Sequence, residues 1–522
     1  HLTSVCPRPP SRRLPRVVRY LLHRVGLSLV VVATLGACGG GDELSAPAAY
    51  EAEVFVEAVR PPVTPSGSVA VGYPEEPDQW YPDVHAEPAA IDLAHLWGLP
   101  LYRIDDAGHL RPALAERASD VDVVDGWGVE IDLRPGTWSD GVPVSAADVV
   151  ATIDALRADP ARAPHLAGLT RAEVVNDDRV RLTFVEPVGR WPYLLAGGWS
   201  VLPAHVLATD GLEAFAGPPR VTAGPFRLEG YEAGRSVTFV AHEGSPDGAP
   251  ALSGLDVAFV PDFETALGLL AAGELDAALG YLALNPVARA EDLPDMTAAA
   301  PLGGTSVSIS WRASGSLGGP SAIDRRQAVR DAIDVAPQVQ GLLGEIAEVS
   351  TSWQPTGPGP WGRDAPAPAL GGISPTLLIP RWQEATGFTA RSLQRDLRTL
   401  GGGAELVRLE PDVLVRSTQG DGSLVVRRDG PWPPMLGRIT AGDREALVSA
   451  ARRADLAPFR QHADVVEALA LGFDEGHVLP LYRIGVAHVW RPSVTGMQPS
   501  SWPGLGFWNV ARWRAVDGSR RG

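Results

Sequence analysis

Hydrophobic positions recur along this chain with two different periods. In "VEIDLRP", Val129, Ile131 and Leu133 alternate with charged residues, the period of two expected of a half-buried strand. Ser139, Asp140 and Gly141 follow with turn chemistry: a side chain able to bond its own backbone, and a residue free to take positive φ. Ser145, with Asp148 three places on, has the form of a capping box with a shortened acid. Val149, Ile153 and Leu156 then continue as one apolar face of a helix. The string "TWSDGVPVSAADVV" therefore reads as shape. Ser139 and Asp140 would need a base beside them to act as catalysts, and the string holds no His.

Further elements follow by the same logic. Val69 to Gly72 is a short apolar strand broken by the Pro-rich loop "PEEPDQWYPDV". "LWGLPLYRIDDAGHLRPALAE" predicts a helix end, a strand, an Asp-Asp-Ala-Gly turn and a capped segment, and "VRLTFVEP" another strand. In "TAGPFRLEGYEAGRSVTFVAHE", Phe226 and Leu228 alternate on one arm and Val237 and Phe239 on the other, with Ala233-Gly234 between them, the pattern of a hairpin. "LDVAFVPDFETALGLLAAGELDAALG" is a β-α-β pattern, in which Asp262 caps a helix that Gly273 ends.

Composition narrows the classes of function. The 522 residues, 45% hydrophobic and 20% charged, suffice for two or three globular domains. Lys is absent, and the net charge is −17; the first 37 residues hold six Arg and no acid, which leaves 39 Arg against 62 acids in the rest. An acidic body argues against nucleic acid as a partner, since phosphate binding needs basic clusters, and it leaves a cationic or neutral small ligand open. The two cysteines are Cys6 and Cys38, so the body beyond them can hold neither a disulfide framework nor a thiolate metal site. The eleven His are scattered and His242-Glu243 lacks a second His at helical spacing, so no protein-built metal site and no cofactor is expected. G-x-S-x-G, H-E-x-x-H and G-x-x-x-x-G-K motifs are all missing, so no enzyme is expected.

The N-terminal stretch explains Cys38. Arg12, Arg13, Arg16, Arg19 and Arg24 precede an apolar run of 13 residues from Val25 to Ala37, too short to span a bilayer and right for a signal-peptide core. It ends in Leu35-Gly36-Ala37-Cys38, which resembles the bacterial lipobox. That resemblance implies a signal peptide over 1–37, acylation of Cys38 and a lipid anchor as the membrane attachment. The Gly-, Ala- and Pro-rich segment 38–66 reads as a tether with a reach on the order of 30 Å, holding the body outside the cytoplasmic membrane.

The order of motifs carries a second resemblance. "LYRIDDAGHLRPALAER", "DLRPGTWSDGVPVSAADVV", "VRLTFVEP", "TAGPFRL", "LLAAGELDAAL" and, later, "DRRQAVRDAID" with Arg326 follow one another here. Toward its C-terminal end the chain has "LPLYRIGVAHVWRPSVTGMQPSSWPGLGFWNVARW". This succession resembles the running signature of the family-5 extracellular solute-binding proteins, the oligopeptide, dipeptide and nickel receptors of ABC importers. The resemblance implies an α/β, two-lobed fold of the type II periplasmic-binding-protein kind, with an enlarged first lobe, a ligand cleft and a two-strand hinge. Lobe 1 would comprise 67–303 with an inserted subdomain, rejoined by 479–522; lobe 2 would be 304–478. The hinge would lie near "GGTSVSISW" and "VLPLYRIG".

The same resemblance nominates ligand residues. In peptide-binding members an "ADYPDP" motif supplies an Asp to the ligand ammonium; here "RDGPWPP" places Asp429 on that Asp, with Trp432 in place of the second acid. A carboxylate suits an ammonium through charge-assisted hydrogen bonds, although Asp-Gly-Pro is also a turn, and Arg427 and Arg428 stand beside it. Trp432 would line a side-chain pocket or pack between lobes. Trp80 and Tyr81, in "EEPDQWYPDV", and Trp311, at the end of the first hinge strand, would touch ligand or belong to the core. The implied partners are a small peptide or similar solute and an ABC permease with its ATPase subunits, and the implied state is a monomer. The rival readings are a nickel-chelate or other small-solute receptor of the same fold, and a non-transporting sensor or adhesin.

Overall fold

In the computed structural model the described residues are 63–82, 88–106, 110–124, 126–160, 162–166, 168–185, 191–302, 305–311, 317, 322–332, 339, 347–349, 373–380, 384–399, 401–409, 422–428, 478–500 and 504–516. The proposed signal segment, Cys38, Asp429 and Trp432 lie outside them.

Val69, Val71 and Tyr73 alternate with Ala70 and Gly72 in strand β1 (Ser68–Tyr73), every residue after Ser68 is buried, and helices cover both faces. The hairpin predicted around Ala233-Gly234 forms as β8 (Phe226–Glu232) and β9 (Ser236–Ala241), with Leu228 opposite Phe239. Next to it runs β10 (Gly254–Phe259), antiparallel to β9 and parallel to β1. Helix α4 (Phe263–Ala272) begins where Asp262 accepts the Thr265 N–H at 2.8 Å and ends at Gly273, whose φ of 78° is the left-handed C-cap conformation. The chain then enters β11 (Ala277–Tyr281), which is also parallel to β1 but on its other side. The β-α-β unit read from the sequence thus straddles β1. Strands β12 (Thr297–Ala299) and β19 (Ala487–Trp490) complete a seven-stranded sheet in the order β12-β19-β11-β1-β10-β9-β8.

The two faces of this sheet are covered by different helices. Helix α1 (Pro88–Trp97) joins Val69, Val71 and Tyr73 in one core through Ala89, Leu93 and Leu96. Helix α4 covers the opposite face, with Phe263, Ala266, Leu267 and Leu270 against Ala70 and Ala278.

A four-stranded antiparallel sheet, β4-β5-β7-β6, shares the first core. It contains β4 (Ala115–Val121), β5 (Trp127–Leu133), β6 (Leu169–Asn176) and β7 (Arg179–Phe184). Val129, Ile131 and Leu133 are buried as their alternation predicts, with Val129 opposite Leu182 and Ile131 opposite Val180. Helix α2 (Ala146–Ala158) lays Val149, Ile153 and Leu156 on this sheet, a burial worth roughly 1.5–3 kcal/mol per side chain. The stretch read as a capped segment after the Asp-Asp-Ala-Gly turn is instead a strand. Here β3 (Leu110–Pro112) pairs antiparallel with β2 (Tyr102–Ile104), because the ladder satisfies backbone groups that a short cap would leave exposed.

The second half of the chain builds a separate six-stranded sheet, β14-β18-β13-β17-β15-β16. Its members are β13 (Thr305–Trp311), β14 (Ala347–Val349), β15 (Thr376–Pro380), β16 (Glu405–Leu409), β17 (Gly422–Arg428) and β18 (Val478–Ile484). Helix α7 (Glu384–Thr399), which follows α5 (Pro286–Glu291) and α6 (Ile323–Ala332), presents Ala390, Leu393 and Leu397 on one face to Val307, Ile309 and Ile379. This core is distinct from the other two. Among the described residues no helix is long and apolar enough to cross a membrane.

Candidate functional site

Strands β11, β1 and β10 are parallel, so their carboxyl ends, at Tyr281, Tyr73 and Phe259, share one edge of the seven-stranded sheet. Because α1 and α4 cover opposite faces, β1 marks the point where chain direction switches, and open α/β sheets bind ligands outside the carboxyl ends at such a point. Strand β12 runs parallel to this trio, since both β12 and β11 are antiparallel to β19. Its end at Ala299, where the chain departs for the second sheet, therefore lies on the same edge. The second sheet meets that edge in kind. β17 and β18 are antiparallel to β13, while β15 and β16 run parallel to β17. The carboxyl ends Pro380, Leu409, Arg428 and Ile484 therefore share the edge at which β13 begins. Two sheets thus turn their carboxyl edges toward one junction.

The loop leaving β1 is pinned at Glu76 and again from Trp80 to Pro82. Glu76 accepts from the Tyr231 hydroxyl and, at 2.5 Å, from the Gly234 N–H at the hairpin tip. Desolvation, followed by the Glu76 hydrogen bond, pushes the Tyr231 phenol up to about 12. Trp80 and Tyr81 donate backbone N–H groups to Ala216 and Phe215, and the Tyr81 hydroxyl donates to the Ser200 carbonyl at 2.8 Å. Burial pushes the Tyr81 phenol up. The Trp80 ring meets Tyr231 edge-on and the Tyr81 ring meets Trp199 edge-on. Arg162 donates to the carbonyls of Tyr81 and Pro82 and lies over the Tyr81 ring. Trp80 and Tyr81 are thus in the first core in this conformation, 2% and 1% exposed.

Tyr73, at the carboxyl end of β1, donates its hydroxyl to Asp92 Oδ2 at 2.5 Å, and Asp92 Oδ1 accepts the Gly506 N–H. Sequence reasoning missed this link between β1, α1 and the C-terminal segment. Its signal was a lone acid inside the apolar run "IDLAHLW".

Trp311 stands apart from these residues. It pairs with Gly422 at one end of the β13/β17 ladder, while Thr305 pairs with Arg428 at the other, a span of roughly 20 Å at 3.4 Å per residue. Its ring packs on the second core, and its Nε1 is buried without a hydrogen-bond partner among the described residues. The ladder therefore puts Trp311 at the end remote from Arg428. Asp140 Oδ2 accepts from His205 Nε2 at 2.8 Å, whereas Ser139 Oγ takes the Thr222 N–H. Among the described residues no group of His, Cys, Asp and Glu is placed to hold a metal ion.

Known proteins fit this architecture. The chain superposes on the oligopeptide-binding protein AppA of Bacillus subtilis, solved with a nonapeptide, at a TM-score of 0.74 with 18% identity, covering 87% of this chain and 100% of that one. NikZ of Campylobacter jejuni, solved with Ni(L-His), gives 0.73 with 19% identity, covering 86% and 100%. In sequence, the peptidoglycan-binding protein YepA of Agrobacterium fabrum is 32% identical over 124 residues, 23% of this chain and 20% of that protein. The match spans about a fifth of such a curated relative. The family model of the bacterial extracellular solute-binding proteins, family 5 Middle, matches residues 109–371, half of the chain. The chain therefore belongs to the family-5 bacterial extracellular solute-binding proteins, with their two-lobed α/β fold and a binding rather than a catalytic role.

Proposed function

We propose that this chain is the substrate-binding lipoprotein of an ABC importer. It captures small solutes, oligopeptides first among them, by hinge closure and delivers them to a membrane permease. Lobe 1 comprises 67–303 with 479–522 and lobe 2 comprises 304–478; Cys38 carries the lipid that moors the body outside the cytoplasmic membrane. The observation behind this reading is the junction of two carboxyl edges, each belonging to a sheet with its own core. A ligand touching both edges favours the closed state over the open one by its differential contacts. Asp429 receives the ligand ammonium and Trp432 lines a side-chain pocket. Backbone groups hold the peptide as an added strand, which leaves side chains free to vary. Trp80 and Tyr81 act as the packed base of the wall. Native mass spectrometry of the purified protein, followed by denaturing identification of released molecules, tests the reading. A ladder of peptide masses supports it; a nickel chelate or a sugar redirects it.

A further inference from the structure

The order of strands fixes the course of the loop that leaves β1. Tyr73 ends β1, and the tip of the β8–β9 hairpin, Ala233 to Arg235, stands at the same edge, because β8 runs parallel to β10 and hence to β1. Strands β10 and β9 lie between β1 and β8. Glu76 nonetheless joins that tip: one carboxylate oxygen accepts from the Tyr231 hydroxyl and the other, at 2.5 Å, from the Gly234 N–H. The short run from Tyr73 to Glu76 therefore passes the carboxyl end of β10. Fully extended, such a run covers about 10 Å, two strand spacings, so the loop is drawn nearly straight along the edge. The end of β10 is tied into this crossing, Val260 N–H to the Tyr73 carbonyl and Phe259 N–H to the Arg235 carbonyl, both at 2.8 Å.

Beyond Glu76 the chain turns onto the first core. There Tyr81 and Trp80 dock on the carbonyls of Phe215 and Ala216, in the segment after α3 (Ala204–Asp210), by contacts that do not involve Glu76. The Glu76 clasp is thus an exposed pair of hydrogen bonds on a loop whose far end is sealed. The result is an asymmetric edge. On one side of β1 the carboxyl end of β10 lies behind the clasped loop and the hairpin tip. On the other side, from β1 through β11 and β19 to β12, the loop leads away. That open stretch spans three strand spacings, about 14 Å, or about four residues of extended chain.

We propose that Glu76 is a specificity-determining residue: by clasping the loop to the hairpin tip it closes one end of the ligand cleft and limits bound peptides to about four residues along lobe 1. The inference rests on the peptide-binding reading above and adds to it a length limit and the side chain that enforces it. A longer peptide must push the wall aside or run its end into it, and obstruction of this kind discriminates without any new attraction. A carboxylate suits the task because both of its oxygens accept, and Tyr231 and Gly234 each supply a donor.

The test equilibrates the full chain with a pool of randomised peptides, tri- to decapeptides in equal amounts, and reads the retained lengths by native mass spectrometry. The parent should hold tri- to pentapeptides and fall off beyond them. In Glu76→Ala the share of hexapeptides and longer, relative to tetrapeptides, should rise by about fivefold or more. Tyr231→Phe removes one of the two bonds and leaves the ring edge-on to Trp80, so it should give a smaller shift in the same direction and guards against misfolding of the first variant. A loss of stability alone would lower every length alike and leave the ratio where it was. Identical length distributions in the parent and both variants overturn the role of Glu76 and leave the peptide reading standing, as does a parent that retains decapeptides as readily as tetrapeptides. A parent that retains no peptide of any length overturns the reading and the length limit with it.

Discussion

Asp148 and Trp138 stand ten residues apart in one string and meet through a 3.2 Å hydrogen bond from Trp138 Nε1 to Asp148 Oδ2. The same carboxylate accepts the Ser145 N–H at 2.8 Å, the reach-back half of the capping box, and the Ala204 N–H at 2.7 Å. Asp148 is 3% exposed. Asp148→Ala strands the buried Trp138 N–H and two part-buried backbone donors; an unsatisfied buried donor costs about 1–3 kcal/mol, so the protein should lose about 2 kcal/mol or more in urea unfolding while folded molecules keep their ligand affinity. A loss of affinity at full stability would mean that this string reaches the ligand.

Arg103 and Asp247 form a nearly sealed ion pair, Nε to Oδ2 at 2.6 Å, with Arg103 also donating to the Gly98 carbonyl. Removing one partner of a buried pair typically costs about 3–5 kcal/mol because the other charge stays behind, whereas a hydrophobic pair of similar volume is often tolerated. Arg103→Ala should therefore destabilise more than the Arg103→Met, Asp247→Leu double variant. Equal unfolding midpoints for the two would count against the burial argument.

Two buried imidazoles make stability depend on pH. Burial, helped by the Arg103 charge, lowers His95 to about 3, and burial lowers His488 to about 4. An unfolded His titrates near 6.5, so below that pH the unfolded chain binds protons that the native protein refuses. Stability from these groups is complete above pH about 6.5 and should fall by about 1.4 kcal/mol per pH unit per histidine as pH drops toward those folded values. His95→Gln should flatten the fall between pH about 6.5 and about 4, read as urea midpoints against pH. An unchanged slope would show that His95 is not buried neutral.

Asp429→Ala should weaken free-amine peptides by roughly 10- to 100-fold, the worth of a charge-assisted hydrogen bond of about 1.5–3 kcal/mol. Their N-acetylated counterparts should change little. Titration calorimetry with both series checks this, and equal losses in the two series would remove Asp429 from the ammonium site.

Much of the fold was legible because its signals are local. Asp262 and Gly273 bound their helix as their side-chain and backbone chemistry require, and the two arms and turn read around Ala233-Gly234 form a hairpin. The stretch after Asp105-Asp106 was misread because strand pairing with β2 is a contact that a single segment does not announce. The wall beside β1 was legible only in part. Trp80 and Tyr81 could be placed after the strand, but the groups that seal them, Ser200, Trp199 and Phe215, lie more than a hundred residues onward.

By itself the sequence determined the elements, the caps and turns between them, and the family to which their order belongs. The elements, caps and turns follow from periodicity and from side chains acting on their own backbone, and the family from the resemblance of the motif order. Which strand stands at the switch point, which edges face the junction and where Trp311 lies along its ladder were decided by tertiary structure alone. Strand order and register depend on partners distant in the chain, and no residue's own chemistry names its neighbour across a sheet.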